Sequence, residues 1–211
     1  MVLLWGSTFI AVKYCLEDWS PLQVVSGRYV FGACLLLPWA LKALNSQAAV
    51  YKKLMWLLLH LALAGSLLPV GLMTWAQQTM PSSYAGVIAS LAPTMTLLMG
   101  AVIWAQPTRK LHWVGVFCGT LGVVVLRLAT SQPQANLYIS EVALCAALLA
   151  TVFWGLAAQN YRRKLAHLPP LLTTALSFQI MAVLMLLTLL TAALLGHASA
   201  QIDSKLLAAQ A

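Results

Sequence analysis

Arg28 is the charge set deepest in an apolar stretch of this sequence, flanked by Val24, Val25, Tyr29, Val30 and Phe31. A guanidinium placed centrally in a lipid-crossing helix costs roughly 2.5–3.5 kcal/mol on insertion scales, so such a group usually faces a bundle interior or a wet cavity, where it can hold a polar solute. A structural bond to carbonyls, or a side chain reaching outward to the interface, is the simpler alternative. Pro69 and Pro93 each remove a backbone donor from a helical run and free a carbonyl, which suits either a cargo contact or a packing kink. Ser7, Thr8, Thr74, Gln77, Ser90 and Thr94 add neutral hydrogen-bonding groups that can line a path or join helices. With Arg28, Pro93, and Trp5 and Trp154, whose bulk suits a cavity wall or a helix contact, these six make up a ten-residue candidate pathway.

Enzymatic chemistry finds no support in the residue pattern. There is no HExxH, no GxSxG and no pair of carboxylates within an apolar run. His60 and His112 lie near run ends without a second ligand at metal spacing, so neither a metal nor another cofactor is expected. Cys15, Cys34, Cys118 and Cys145 sit in or beside apolar runs, in no metal or disulfide spacing, and read as small packing residues.

The elements that must position these groups are membrane helices. Hydrophobic residues make up 62% of the chain and charged ones 8%, more apolar surface than one soluble core can bury. Apolar runs lie near Val2–Leu16, Leu22–Leu44, Leu54–Gln77, Ser83–Ala105, Leu111–Leu128, Tyr138–Tyr161 and Leu171–Leu195. Backbone groups in lipid must be satisfied within their own segment, and the runs lack the period-two polarity of a barrel, so an all-α polytopic membrane protein with about seven spans is predicted. The formal charge of +8 does not form a nucleic-acid-binding stripe, because the basic residues punctuate run ends. Lys42, Lys52, Lys53, Arg109, Lys110, Arg162, Arg163 and Lys164 mark the even connections, whereas Glu17, Asp18 and Glu141 mark the odd ones. The positive-inside rule then puts the N-terminus in the cytoplasm, with the first span acting as its own targeting signal in the inner membrane. Gly115, Gly119 and Gly122 form a small-residue stripe that permits close packing within the bundle or in a homodimer.

Displacing the sequence by 149 positions aligns Trp5-Gly6 with Trp154-Gly155, Lys13 with Arg162, and Pro21-Leu22 with Pro170-Leu171. Span six thus answers to span one, and the repeating unit holds five helices. An odd unit enters its second copy from the opposite face, which is the inverted repeat of many secondary transporters. Val2–Leu16 reaches only about 22 Å, so the first helix is expected to be clipped. The second unit holds two helices, and three more are expected beyond Ala211, where the polar stretch from Gly196 leads into Leu206-Leu207 as if another helix were beginning.

The residues resemble the EamA-like branch of the drug/metabolite transporter superfamily. Trp5-Gly6-Ser7-Thr8-Phe9 is similar to its first helix, Pro21-Leu22 with Arg28-Tyr29 to its second, Tyr84-Ala85-Gly86 through Leu91-Ala92-Pro93 to its fourth, and Trp113-Val114-Gly115 through Gly119-Thr120-Leu121-Gly122-Val123 to its fifth. Where many members carry Gly-Glu at the cytoplasmic end of helix four, this sequence has Ala105-Gln106, which leaves a role for that acid unsupported. The resemblance implies a ten-helix fold of two inverted units, with residues 1–128 forming the first and 138–211 part of the second. It further implies a carrier or exporter of small metabolites such as amino acids or amphipathic drugs, working by alternating access in the lipid bilayer. The alternative is a truncated remnant, or a chain that needs a partner.

Overall fold

The computed structural model describes residues 2–130 and 140–208. They are helical almost throughout: α1 (Val2–Asp18), α2 (Pro21–Lys53), α3 (Met55–Ala62), a π turn (Leu63–Leu67), α4 (Leu68–Ala76), α5 (Ser82–Ala89), α6 (Ala92–Trp104), α7 (Lys110–Thr130), α8 (Glu141–Lys164) and α9 (Pro170–Ala208). The third apolar run is the rod α3–π–α4, and the fourth is α5–α6. The chain is therefore an all-α polytopic membrane protein. Among the described residues, five rods are long and apolar enough to cross a membrane: Pro21–Asn45, Met55–Ala76, Ser82–Trp104, Glu141–Lys164 and Pro170–Leu194. The first helix, at 17 residues, and the apolar part of α7 over Lys110–Val125 are shorter. The expected start of span six at Tyr138 lies outside the described residues, as do the last three positions of the chain.

Local chemistry explains most of the boundaries. Ser20 opens α2 with a reciprocal cap: its N–H donates to Gln23 Oε1 at 2.9 Å, while Gln23 N–H donates to Ser20 Oγ at 3.4 Å, and Pro21 supplies a preset first turn. The helix then runs past its expected end at Leu44 to Lys53, because nothing in that stretch breaks it and Ala43 and Tyr51 bury against Leu165, Leu168 and Leu176. The last helix likewise continues through Gly196 as one rod to Ala208, where a fresh helix was expected.

The two prolines act differently. Pro69 has no N–H for the Gly65 carbonyl, and the preceding turn widens so that Leu68 N–H reaches Leu63 O, five residues back. Pro93 follows a full break: α5 ends at Ala89, Ser90 and Leu91 form a turn, and α6 restarts with Pro93 in its first turn. Helix α6 ends at Ala105 in the left-handed region, φ 48°, with Gln106 N–H returning to Gly100 O at 3.1 Å.

Three apolar clusters hold the rods together. Phe9, Met73, Met80, Tyr84, Ile88, Ala143 and Ala147 join α1, α4, α5 and α8 at one end. Ala40, Tyr51, Leu58, Leu165 and Leu176 join α2, α3 and α9 at the other. Val25, Tyr29, Ala62, Val70, Met181 and Met185 lie between them. The first end carries Glu17, Asp18 and Glu141; the second carries Lys52, Lys53, Arg109, Lys110 and the Arg162-Arg163-Lys164 run.

Close approach depends on a few glycines. A Cβ on Gly155 would stand 2.8 Å from the Met95 carbonyl carbon and 2.9 Å from Thr96 N, so α8 rests its backbone on that of α6. A Cβ on Gly6, at the matching place in the first helix, would meet nothing within 4 Å. Within the expected stripe on α7, a Cβ on Gly119 would stand 3.0 Å from Leu91 Cδ2, whereas one on Gly115 or Gly122 would meet nothing within 4 Å. Gly155→Ala should therefore destabilise the bundle by about 1–3 kcal/mol through overpacking, while Gly6→Ala should leave it unchanged or slightly firmer. Thermal unfolding of both variants in detergent checks this, and equal melting temperatures would refute the backbone contact.

Candidate functional site

Four aromatic rings, one from each of four helices, surround the centre of the bundle. Trp5 of α1 meets Trp154 of α8 edge-on, with ring centroids 6.1 Å apart at 63°. Tyr29 of α2 meets Phe178 of α9 at 5.5 Å and 60°. Both pairs join residues 149 positions apart, the displacement that aligns Trp5-Gly6 with Trp154-Gly155. The rings bound a hollow of about 240 Å³ together with Arg28, Ser66, Val70 and Ala92. Ser66 belongs to the π turn ahead of Pro69 and pairs with the Tyr29 hydroxyl; Ala92 stands just before Pro93.

This middle hollow shares walls with two others. Toward the acidic end, a space of about 20 Å³ lies among Thr8, Phe9, Met73, Thr74 and Gln77, with Trp5, Arg28, Val70 and Trp154 common to both. Toward the basic end, a space of about 270 Å³ lies among Gly65, Ala157, Tyr161, Leu165, Thr173 and Ser177, with Ser66, Trp154 and Phe178 in common. The three form a file along the bundle, and Trp154 lines them all. Arg28 is the one charged residue among their walls. Among the described residues, no hydrogen bond or ion pair holds its guanidinium. Gln77 Oε1 and the Tyr161 hydroxyl, on the walls of the two outer spaces, are buried without a hydrogen-bond partner. Such atoms are few in folded proteins and are costly unless they meet a solute or water.

The file is tied at both ends by polar contacts. Lys13 Nζ donates to the carbonyls of Gln77 at 2.7 Å and Gln78 at 3.2 Å, closing α1 against the C-terminus of α4, where a cation is favoured. Near the basic end, Gln159 Nε2 of α8 donates to Thr96 O at 2.7 Å, and the Gln159 and Gln106 amides donate to each other at 3.2 and 3.3 Å. Beside them the Arg163 guanidinium lies 5.3 Å over the Trp104 ring.

Of the candidate residues, the structure gathers Trp5, Thr8, Arg28, Thr74, Gln77 and Trp154 around the file. Ser7, Ser90, Pro93 and Thr94 do not line it. Ser90 is exposed and donates to Val87 O at 2.6 Å, Pro93 is exposed, and Thr94 lies near Gly119 of α7. Tyr29, Ser66 and Phe178 escaped the sequence reading, although the 149-residue displacement lands Tyr29 on Phe178.

The profile of the EamA-like transporter family matches residues 1–128. The chain belongs to that family. Helices α1 to α7 are its EamA-like region, and the aromatic hollow lies where this region meets α8 and α9. Among curated relatives, the uncharacterized inner membrane transporter YedA of Escherichia coli K12 is 32% identical over 130 residues, 60% of this chain and 40% of that protein. An uncharacterized transporter of Archaeoglobus fulgidus is 26% identical over 161 residues, 72% of this chain and 52% of that protein. The uncharacterized transporter YetK of Bacillus subtilis is 28% identical over 118 residues, 55% and 36% of the two chains. The chain thus spans about two-fifths to one-half of the lengths of these relatives. No solved structure matches it.

Lys13→Met would leave the Gln77 and Gln78 carbonyls without their charged donor. Because Lys13 is half-buried, the expected loss is near the low end for a charge-assisted bond, about 1 kcal/mol. Faster hydrogen exchange at the α4–α5 junction of this variant checks the tie, and exchange unchanged there would dismiss it.

Proposed function

We propose that this EamA-like chain forms the first five-helix unit and the opening two helices of a second, inverted unit of a secondary transporter for small metabolites. The file of three hollows carries this reading: it runs between the acidic and basic ends and passes between the two ring pairs that join repeat mates. Mates that touch across a pseudo-two-fold axis are what an inverted repeat produces, and carriers of that design bind cargo near the midplane at the interface of their repeats. Alternating access then means opening the ends in turn. The 20 Å³ space beside Gln77 is the narrow end of the file, tied by Lys13, and the 270 Å³ space beside Tyr161 is the wide one.

In this reading the basic end faces the cytoplasm of an inner membrane and the N-terminus lies on the same side, in line with the bias of Lys and Arg toward Lys52, Lys53, Arg109, Lys110 and Arg162 to Lys164. Single cysteines in a cysteine-free background provide the check. Gln78→Cys should react with an impermeant maleimide from outside intact cells and His167→Cys only after permeabilisation; the reverse pattern inverts the orientation.

Counterflow of labelled amino acids and organic acids in proteoliposomes tests transport itself. Trp154→Leu should slow it at least tenfold, because this side chain lines every hollow, whereas Trp56→Leu, on an 80% exposed side chain, should not. Equal rates in the two variants would remove the file as the path.

A further inference from the structure

We propose that the middle hollow selects a small organic monoanion, with Arg28 binding its carboxylate and the rings of Trp5, Trp154, Tyr29 and Phe178 enclosing its apolar body. The proposal rests on the carrier reading of the file and names the chemistry of the cargo.

Arg28 borders both the middle and the narrow hollow, and it is the one charge on the walls of the file. The described carboxylates, Glu17, Asp18 and Glu141, lie at helix ends and away from those walls. The Arg28 side chain is exposed about 10 Å along α2 from its start at Pro21, and with no protein acceptor its N–H donors stay open to a solute in the hollow. An anion entering the hollow supplies the missing acceptor. A carboxylate fits the group best, because its two oxygens match two parallel N–H donors of the planar fork. The Tyr29 hydroxyl, which accepts from Ser66 on the same wall, keeps its own hydrogen to donate to the same anion.

The rings alone would also suit a cation, since aromatic faces attract positive charge. Arg28 decides between the two. An ammonium beside a guanidinium is repelled, so the same walls that would welcome a cation disfavour it here. Size limits the cargo further. At about 30 Å³ per water-sized group, the 240 Å³ space takes roughly eight non-hydrogen atoms, and the 270 Å³ space that shares its Ser66, Trp154 and Phe178 walls gives room for a slightly longer body.

Phenylacetate, phenylacetamide and phenethylamine share one body and differ in charge, so their binding to the purified chain in nanodiscs, by calorimetry, tests the assignment. Phenylacetate should bind at least tenfold tighter than either analogue. Arg28→Gln should bring the three within threefold of one another, and Arg28→Lys should keep the anion preference at reduced affinity. Should Arg28→Gln fail to fold, the wild-type ranking and the lysine variant decide. An equal ranking in the wild type, a preference that survives Arg28→Gln, or no binding of any of the three would overturn the proposal. Counterflow of the same compounds separates this question from the carrier reading: binding with the predicted ranking but without counterflow sinks transport and leaves the anion site standing.

Discussion

The crossing of α2 and α9 organises the bundle. At that contact Phe178 presses on Tyr29 and covers Gly32, whose missing side chain makes room for the ring. One residue on, Gln179 Nε2 donates to Ala33 O at 2.7 Å, a bond between helices that fixes how far one rod slides along the other. Lipid gives apolar side chains no reason to leave it for one another, so shape fit and bonds of this kind set the register. With the crossing fixed, Val25, Ala62, Val70, Met181 and Met185 close one side of the centre, and the aromatic hollow is the space that the large rings cannot fill.

A second constraint runs along each rod rather than between rods. Lipid leaves no water for stray carbonyls, yet Pro69 and Pro93 each disturb the helix of a rod. One answers by widening a turn and the other by stopping and restarting, and the residues beside both irregularities, Ser66 and Ala92, border the same hollow. Irregular backbone is tolerated in a bilayer where it faces a cavity or other protein, so these breaks and the file of spaces belong to one solution.

Much of this was legible in the sequence. Uninterrupted apolar runs have one stable form in lipid, which gave the helices and their order, and segments such as Trp5-Gly6-Ser7-Thr8-Phe9 carried the family resemblance that the profile match over residues 1–128 upholds. Helix ends were less legible. Nothing local told that α2 would continue beyond Leu44, because Tyr51 is held by Leu165, more than a hundred residues away. The candidate site divided along the same line. Trp5, Arg28 and Trp154 were visible as a charge within an apolar run and a repeated ring, but Ser90, Pro93 and Thr94 follow or form a helix break, and the rotation of a restarted helix depends on its neighbours. Phe178 was hidden for a plainer reason: one phenylalanine in an apolar helix looks like any other until its partner ring is in view.

The paired amides of Gln106 and Gln159 form a contact without ionisable atoms. Neither side chain gains or loses a proton at physiological pH, and neither carries net charge for a membrane potential to act upon. Whatever drives motion at that end of the molecule, this junction is electrically silent. It contributes only the strength and direction of its hydrogen bonds, and a single change from amide to acid at position 106 would turn a fixed fastening into one that titrates.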